Sequence, residues 1–156
     1  MRALVPLLLA VSLPLSAAPL HSQFLPPDDQ SLRQQAPNAQ QLLQVTDYTV
    51  VVGAQRQSDQ QPIPITSSLQ IALKGKPLNK GATLGQVLLT FDAEGGKSLK
   101  KPVYDPDSRR LTLTYPVSDY RVIMDLLRND TVYVQFLTYD NGHIWADLHT
   151  GTVRTR

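Results

Sequence analysis

From Val45 onward, large apolar residues recur at every second position in short runs divided by turn-forming residues. This period of two restricts the chain to a fold built of strands. Tyr48, Val50 and Val52 alternate with Thr49 and Val51; Leu69, Ile71 and Leu73 alternate with Gln70 and Ala72; Val87, Leu89 and Phe91 alternate with Leu88 and Thr90. Successive side chains of a strand point to opposite faces, so each run offers one apolar face to a core. Gln60-Gln61-Pro62-Ile63-Pro64 reads as an extended, non-ladder connection between the first two runs. Gly75, Pro77, Asn79 and Gly81 read as a turn-rich loop between the second and third.

Further along, Gly95-Gly96 closes a turn, and Leu99 to Tyr104 reads as an edge strand because Pro102 cannot donate to a ladder. Asp105-Pro106-Asp107-Ser108 is a turn that returns the chain through Leu111, Leu113 and Tyr115, giving a hairpin. The period then changes. Tyr120, Ile123, Met124 and Leu127 fall at i, i+3, i+4 and i+7, which predicts one helix with Ser118 as N-cap, Asp119 in the first turn and Asn129 at its end.

The last hairpin runs from Thr131 to about Val153 through Asp140-Asn141-Gly142. A two-residue Asn-Gly turn would place Val134 and Phe136 on the face of Asp147 and His149, mixing core with polar groups. A three-residue loop with Gly142 in the left-handed region of a G1 bulge instead matches Thr138, Phe136 and Val134 with Ile144, Ala146 and Leu148. A slip of one residue flips every side chain, so the self-consistent register is the expected one. It gathers Tyr133, Gln135, Leu137 and Tyr139 onto one face with His143, Trp145, Asp147 and His149.

Six or seven strands and one helix make a mainly β domain. A helix of about eleven residues is about 16 Å long, whereas six strands at about 4.8 Å span nearly 30 Å, so the helix cannot cover the core face alone. The expected architecture is an antiparallel β-sandwich of immunoglobulin-like arrangement, with a curved antiparallel sheet packed around the helix (α+β) as the alternative.

The N-terminal Met-Arg followed by the apolar run Ala3 to Leu15 and the small residues Ser16, Ala17 and Ala18 fits a secretory signal peptide over 1–18. The run is too short to span a bilayer, and no second such run follows, so no transmembrane segment is expected in the mature chain. Residues 19–44 hold seven glutamines and four prolines, a composition that reads as a flexible leader, with a short helix near Ala39 to Leu43. The single β-rich domain is then 45–156. With no cysteine, folding must rest on burial, and thiol catalysis and thiolate metal sites are excluded. Loss of 1–18 removes only Arg2 and leaves 14 basic against 13 acidic residues, which gives no electrostatic basis for binding nucleic acid. The address is therefore exported, periplasmic or secreted.

The face carrying Tyr133, Gln135, Tyr139, His143, Trp145, Asp147 and His149 is the candidate binding surface. His143 and His149 lie about 20 Å apart along the strand and cannot share an ion, and zinc needs three or four protein ligands, so no metal or other cofactor is expected. No nucleophile elbow, phosphate loop or His-Glu-x-x-His helix is present. Tyr and Trp give large contact area while keeping a polar tip, which suits a protein or glycan partner. The same residues would also serve as a second core, covered by the leader, the helix or another sheet. The expectation is a non-catalytic binding or accessory module. The alternatives are a small extracytoplasmic hydrolase or metal-dependent enzyme centred on His149 and Asp147, and an assembly component that pairs strands through the Val45 or Val153 ends.

Overall fold

Residues 24–25, 34–54, 59, 68–92 and 100–151 are described in the computed structural model of the chain. The expected signal peptide, the Gln60–Pro64 connection, the Gly95-Gly96 turn and the Val153 end lie outside the described residues. About half of the described residues are in strands: β1 (Ala39–Val52), β2 (Leu69–Pro77), β3 (Gln86–Asp92), β4 (Val103–Asp105), β5 (Arg110–Pro116), β6 (Val132–Thr138) and β7 (Ile144–Thr150). Among the described residues the one long helix, α1 (Tyr120–Asn129), lies between β5 and β6. Among the described residues, no helix is long and apolar enough to cross a membrane.

All seven strands join one sheet in the order β4-β5-β3-β2-β1-β6-β7, where the sequence had suggested two facing sheets. All neighbouring pairs are antiparallel except β3 and β5, which run parallel because β5 inserts between β3 and the edge strand β4. What replaces the second sheet is curl. β4 and β6 are five strand spacings apart, about 24 Å in a flat sheet, yet the rings of Tyr104 and Phe136 stand 5.9 Å apart. Tyr115 on β5 likewise meets the backbone of Leu148 on β7. The sheet is a half-barrel whose two ends lean towards each other across its hollow.

The hollow is the core. Leu43, Ile71, Leu73, Val87, Leu89, Phe91, Leu111, Leu113, Val134 and Phe136 fill it, and each is less than a tenth exposed. Registered pairs such as Ile71 with Leu89, Leu89 with Leu113 and Val134 with Leu148 carry this apolar face unbroken across the strands. Helix α1 closes it: Ile123 and Met124 are buried, and Tyr120 and Leu127 pack beside them, as the spacing requires. Ten residues make a helix about 15 Å long, enough to carry the chain most of the way from β5 to β6 once the sheet is curled. Ser118 does not cap it. A 3-10 turn, Val117–Asp119, runs directly into the helix, so the N-cap position falls to Asp119, whose side chain makes no cap hydrogen bond.

β1 is longer than its alternation suggests. The pair Leu42-Leu43 is buried on both faces, which hides the period of two, and Ala39–Leu43 is strand rather than short helix. Ala39–Gln44, in the segment read as leader, pairs with β6, while Leu43–Val52 pairs with β2. A bulge between Val45 and Asp47 reverses the parity, so Leu43 and Val45 before it and Val50 after it all pack on the core. β2 extends through Gly75 to Pro77, both read as loop from sequence. Beyond Pro77, Asn79 continues the ladder with its side chain, accepting from Leu42 N–H at 2.8 Å and donating to the Gln40 carbonyl at 3.0 Å.

β4 is the edge strand that Pro102 implied, only three residues long. The turn after it is held by Asp105, whose Oδ1 accepts from Asp107 N–H at 3.0 Å and whose Oδ2 accepts from the Ser108 hydroxyl at 2.5 Å. Those bonds, the Ser108 hydroxyl first, hold the Asp105 carboxyl below its ordinary value.

The contact of Tyr115 with β7 has a pH signature. Burial, reinforced by the charges of Asp147 and Asp119, raises the Tyr115 phenol above its ordinary value of 10.0. The folded state therefore favours the neutral phenol more than the unfolded chain does. Its contribution is complete below about pH 10 and is lost as pH rises from there towards the folded value. Tyr115→Phe is expected to cost about 1 kcal/mol at neutral pH and to flatten the fall of the urea midpoint above about pH 10. An unchanged alkaline slope would show that Tyr115 does not set it.

Candidate functional site

The β6–β7 hairpin forms in the register argued from sequence. Val134 faces Leu148, Phe136 faces Ala146 and Thr138 faces Ile144. Its loop is the three-residue Asp140-Asn141-Gly142, with Gly142 at φ 81°. Gly142 N–H donates to the Tyr139 carbonyl at 2.9 Å, and Tyr139 N–H donates to the His143 carbonyl at 3.0 Å. Asn141 Oδ1 accepts from His143 N–H at 3.0 Å, which fixes the turn from within.

On the convex face of this hairpin, Tyr133 stands opposite His149, Gln135 opposite Asp147 and Leu137 opposite Trp145. The Asp147 carboxylate is the hub. Its Oδ1 meets His149 Nδ1 at 2.6 Å, and its Oδ2 accepts from Gln135 Nε2 at 2.7 Å and from Trp145 Nε1. Gln135 is fully buried, and the side chains of His149 and Asp147 are 11% and 16% exposed. The hub is strongly shielded from water, and charge-assisted bonds of this kind are correspondingly strong. Two polar atoms at its margin, Gln135 Oε1 and His149 Nε2, are buried without a hydrogen-bond partner among the described residues.

The face is covered by the chain's own N-terminal segment. Phe24 stacks on the His149 ring at 3.8 Å and 19°, and Tyr133 lies on the ring 5.7 Å away at 21°. Leu25 is buried against Leu137 and Tyr139, with Trp145 packed beside them. Of the three covers considered from sequence, the leader supplies these contacts. Phe24 and Leu25 were missed as site residues. The signal available was their adjacency, since Phe24-Leu25 and Leu42-Leu43 are the two pairs of large apolar side chains in a stretch otherwise rich in Gln and Pro.

Five of the candidate residues, Tyr133, Gln135, Trp145, Asp147 and His149, meet through the hub or the rings stacked on it. Tyr139 belongs to the adjoining apolar cluster with Leu25. His143 is exposed beside the hairpin turn and stands apart from the hub. Among the described residues, no three His, Asp or Glu side chains converge as metal ligands would. No protein family, curated protein or solved structure matches the chain, so the reading of this site rests on its geometry.

Proposed function

We propose that the protein is an exported, non-catalytic binding module that takes up an extended segment of a protein partner, bearing an aromatic and an aliphatic side chain, on the convex face of β6 and β7. The observation that carries this reading is the seating of Phe24 and Leu25 there, one on His149 and the other against Leu137 and Tyr139. Among the described residues Gln135 Oε1 and His149 Nε2 have no partner, whereas buried polar groups are nearly always paired. A partner segment that placed a donor or acceptor at either atom would fit the face better than the chain's own residues do.

Energetics favour exchange. Burying a Phe and a Leu contributes about 3 to 6 kcal/mol, while ordering each residue of the segment costs about 1 to 2 kcal/mol. The net hold on a short segment is therefore small. A partner presenting a pre-ordered strand of similar character can displace it. An extended peptide suits the site better than a glycan, because the His149 ring is already engaged by two aromatic side chains, Phe24 at 3.8 Å and Tyr133 at 5.7 Å. A hydrolase or metal-dependent enzyme centred on His149 and Asp147 gains less support, since His149 Nε2, the nitrogen that would act on a substrate or hold a metal, is buried and Phe24 stacks on the ring.

Trp145 is the only tryptophan, so its fluorescence reports on this face alone. In the full chain carrying Phe24→Ala and Leu25→Ala, acrylamide should quench Trp145 several-fold more efficiently than in the wild type. A synthetic peptide of residues 19–33 added in trans should restore protection. Equal quenching in the two proteins would mean that the segment does not shield the indole. An opened face that takes up no such peptide would reduce the site to a second core.

A further inference from the structure

We infer that the second half of β1 is a self-association edge, pairing antiparallel with the same segment of a second copy of this chain. Between Thr46 and Val52, β1 has β2 on one side and no strand on the other among the described residues, because β6 pairs only with Ala39–Gln44. The other edges among the described residues are shorter or engaged by a side chain. β4 is three residues long and follows Pro102; the Tyr115 hydroxyl reaches the backbone of β7 at Leu148; and Asn79 caps the start of β1 where β2 ends.

The open stretch is Thr-Asp-Tyr-Thr-Val-Val-Val, β-branched or aromatic at every position but one, with a single charge and no Gly or Pro. Natural proteins normally blunt such an edge with Lys, Pro or a short length. Its apolar side chains are exposed: Tyr48 39%, Val51 54% and Val52 73%. Beside it lies a groove of about 370 Å³ lined by Thr46, Tyr48, Leu127, Thr131 and Val132, in line with the start of β6. An incoming antiparallel strand would continue the line of β6 through that groove.

Self-pairing is favoured by the way the segment matches itself. A two-fold axis through Thr49 sets Tyr48 opposite Val50 and Asp47 opposite Val51 of the second copy. The aromatic then meets a β-branched residue, and the two carboxylates are kept apart. A contact of seven residues, about 24 Å along one strand pair, is at the small end of specific interfaces, so the association is weak and concentration-dependent.

The register is tested at Val51, half-exposed and across from Asp47. In the full-length mature protein, Val51→Asp sets like charges opposite each other twice and should weaken the dimerisation constant by about tenfold or more. Val51→Lys sets opposite charges together and should leave it unchanged or tighter, with the gain removed by salt. Sedimentation at a series of concentrations reads both, and circular dichroism confirms that each variant folds. A wild type that stays monomeric throughout overturns the proposal, as does an equal response of the dimer to Asp and to Lys.

Discussion

Gly75→Ala is expected to lower stability by about 3 kcal/mol or more. The sign is the informative part. At an unstrained strand position, replacing Gly by Ala gains about 0.4 to 1 kcal/mol, because the unfolded chain loses freedom. Gly75 faces Val45 at the β1 bulge, where the two backbones approach closely. A Cβ there would lie 2.1 Å from the Gln44 carbonyl oxygen, 2.8 Å from its carbonyl carbon and 2.9 Å from Leu43 Cγ. Gln44 cannot move aside, since it is registered with Lys76 on β2 and with Tyr133 on β6 at once. Relief would separate β1 from β2 at the point where β1 spans the middle of the sheet. For a domain of about a hundred residues, 3 kcal/mol lowers Tm by roughly 12 to 24 °C. Gly85→Ala is the control: a Cβ there meets nothing within 4 Å, and its melting temperature should stay near that of the wild type. A Gly75→Ala variant that melted with the wild type would mean that the strands have more room than the bulge geometry gives them.

The same bulge explains part of what sequence reading missed. Alternation identifies β2, β3 and β5 because one face of each is buried and the other is not, and the helix because its period differs. It fails at Leu42-Leu43, where both faces of β1 are covered, and it cannot place a bulge that reverses parity at Thr46. Nor does it separate a half-barrel from a sandwich, because either architecture buries one face per strand; the difference is curl, visible only in contacts such as Tyr104 with Phe136. The last hairpin was readable down to the individual pair, since Gly142 supplies the left-handed residue and only one register keeps the two faces distinct. The candidate face was therefore legible as a set of residues. Its cover was not, because Phe24 and Leu25 meet β6 and β7 from the other end of the chain, and no periodicity links them.

Asp147→Ala is expected to cost about 4 kcal/mol, more than the loss of a single hydrogen bond. The carboxylate is shared by three groups, His149 Nδ1, Trp145 Nε1 and Gln135 Nε2, and water can reach little of the site to replace it. Each stranded donor costs about 1 to 3 kcal/mol, and the losses do not simply add. Asp147→Asn separates polarity from charge. Its amide oxygen can still accept from Gln135 and Trp145, but its amide nitrogen then faces His149 Nδ1, and two donors cannot share a bond. The imidazole must then accept at Nδ1 and carry its proton on Nε2, an atom that is buried without a partner among the described residues. The Asp147→Asn variant should therefore fold, lose about 1 to 2 kcal/mol, and move the His149 proton from Nδ1 to Nε2. Imidazole nitrogen chemical shifts report that exchange directly, and urea denaturation orders the wild type and the two variants. If the alanine substitution were as mild as the asparagine one, Asp147 would not be the hub that holds this face together. If His149 kept its Nδ1 proton in the Asp147→Asn variant, the asparagine would have turned its amide oxygen to the ring, and the bonds from Gln135 and Trp145 would be the ones given up.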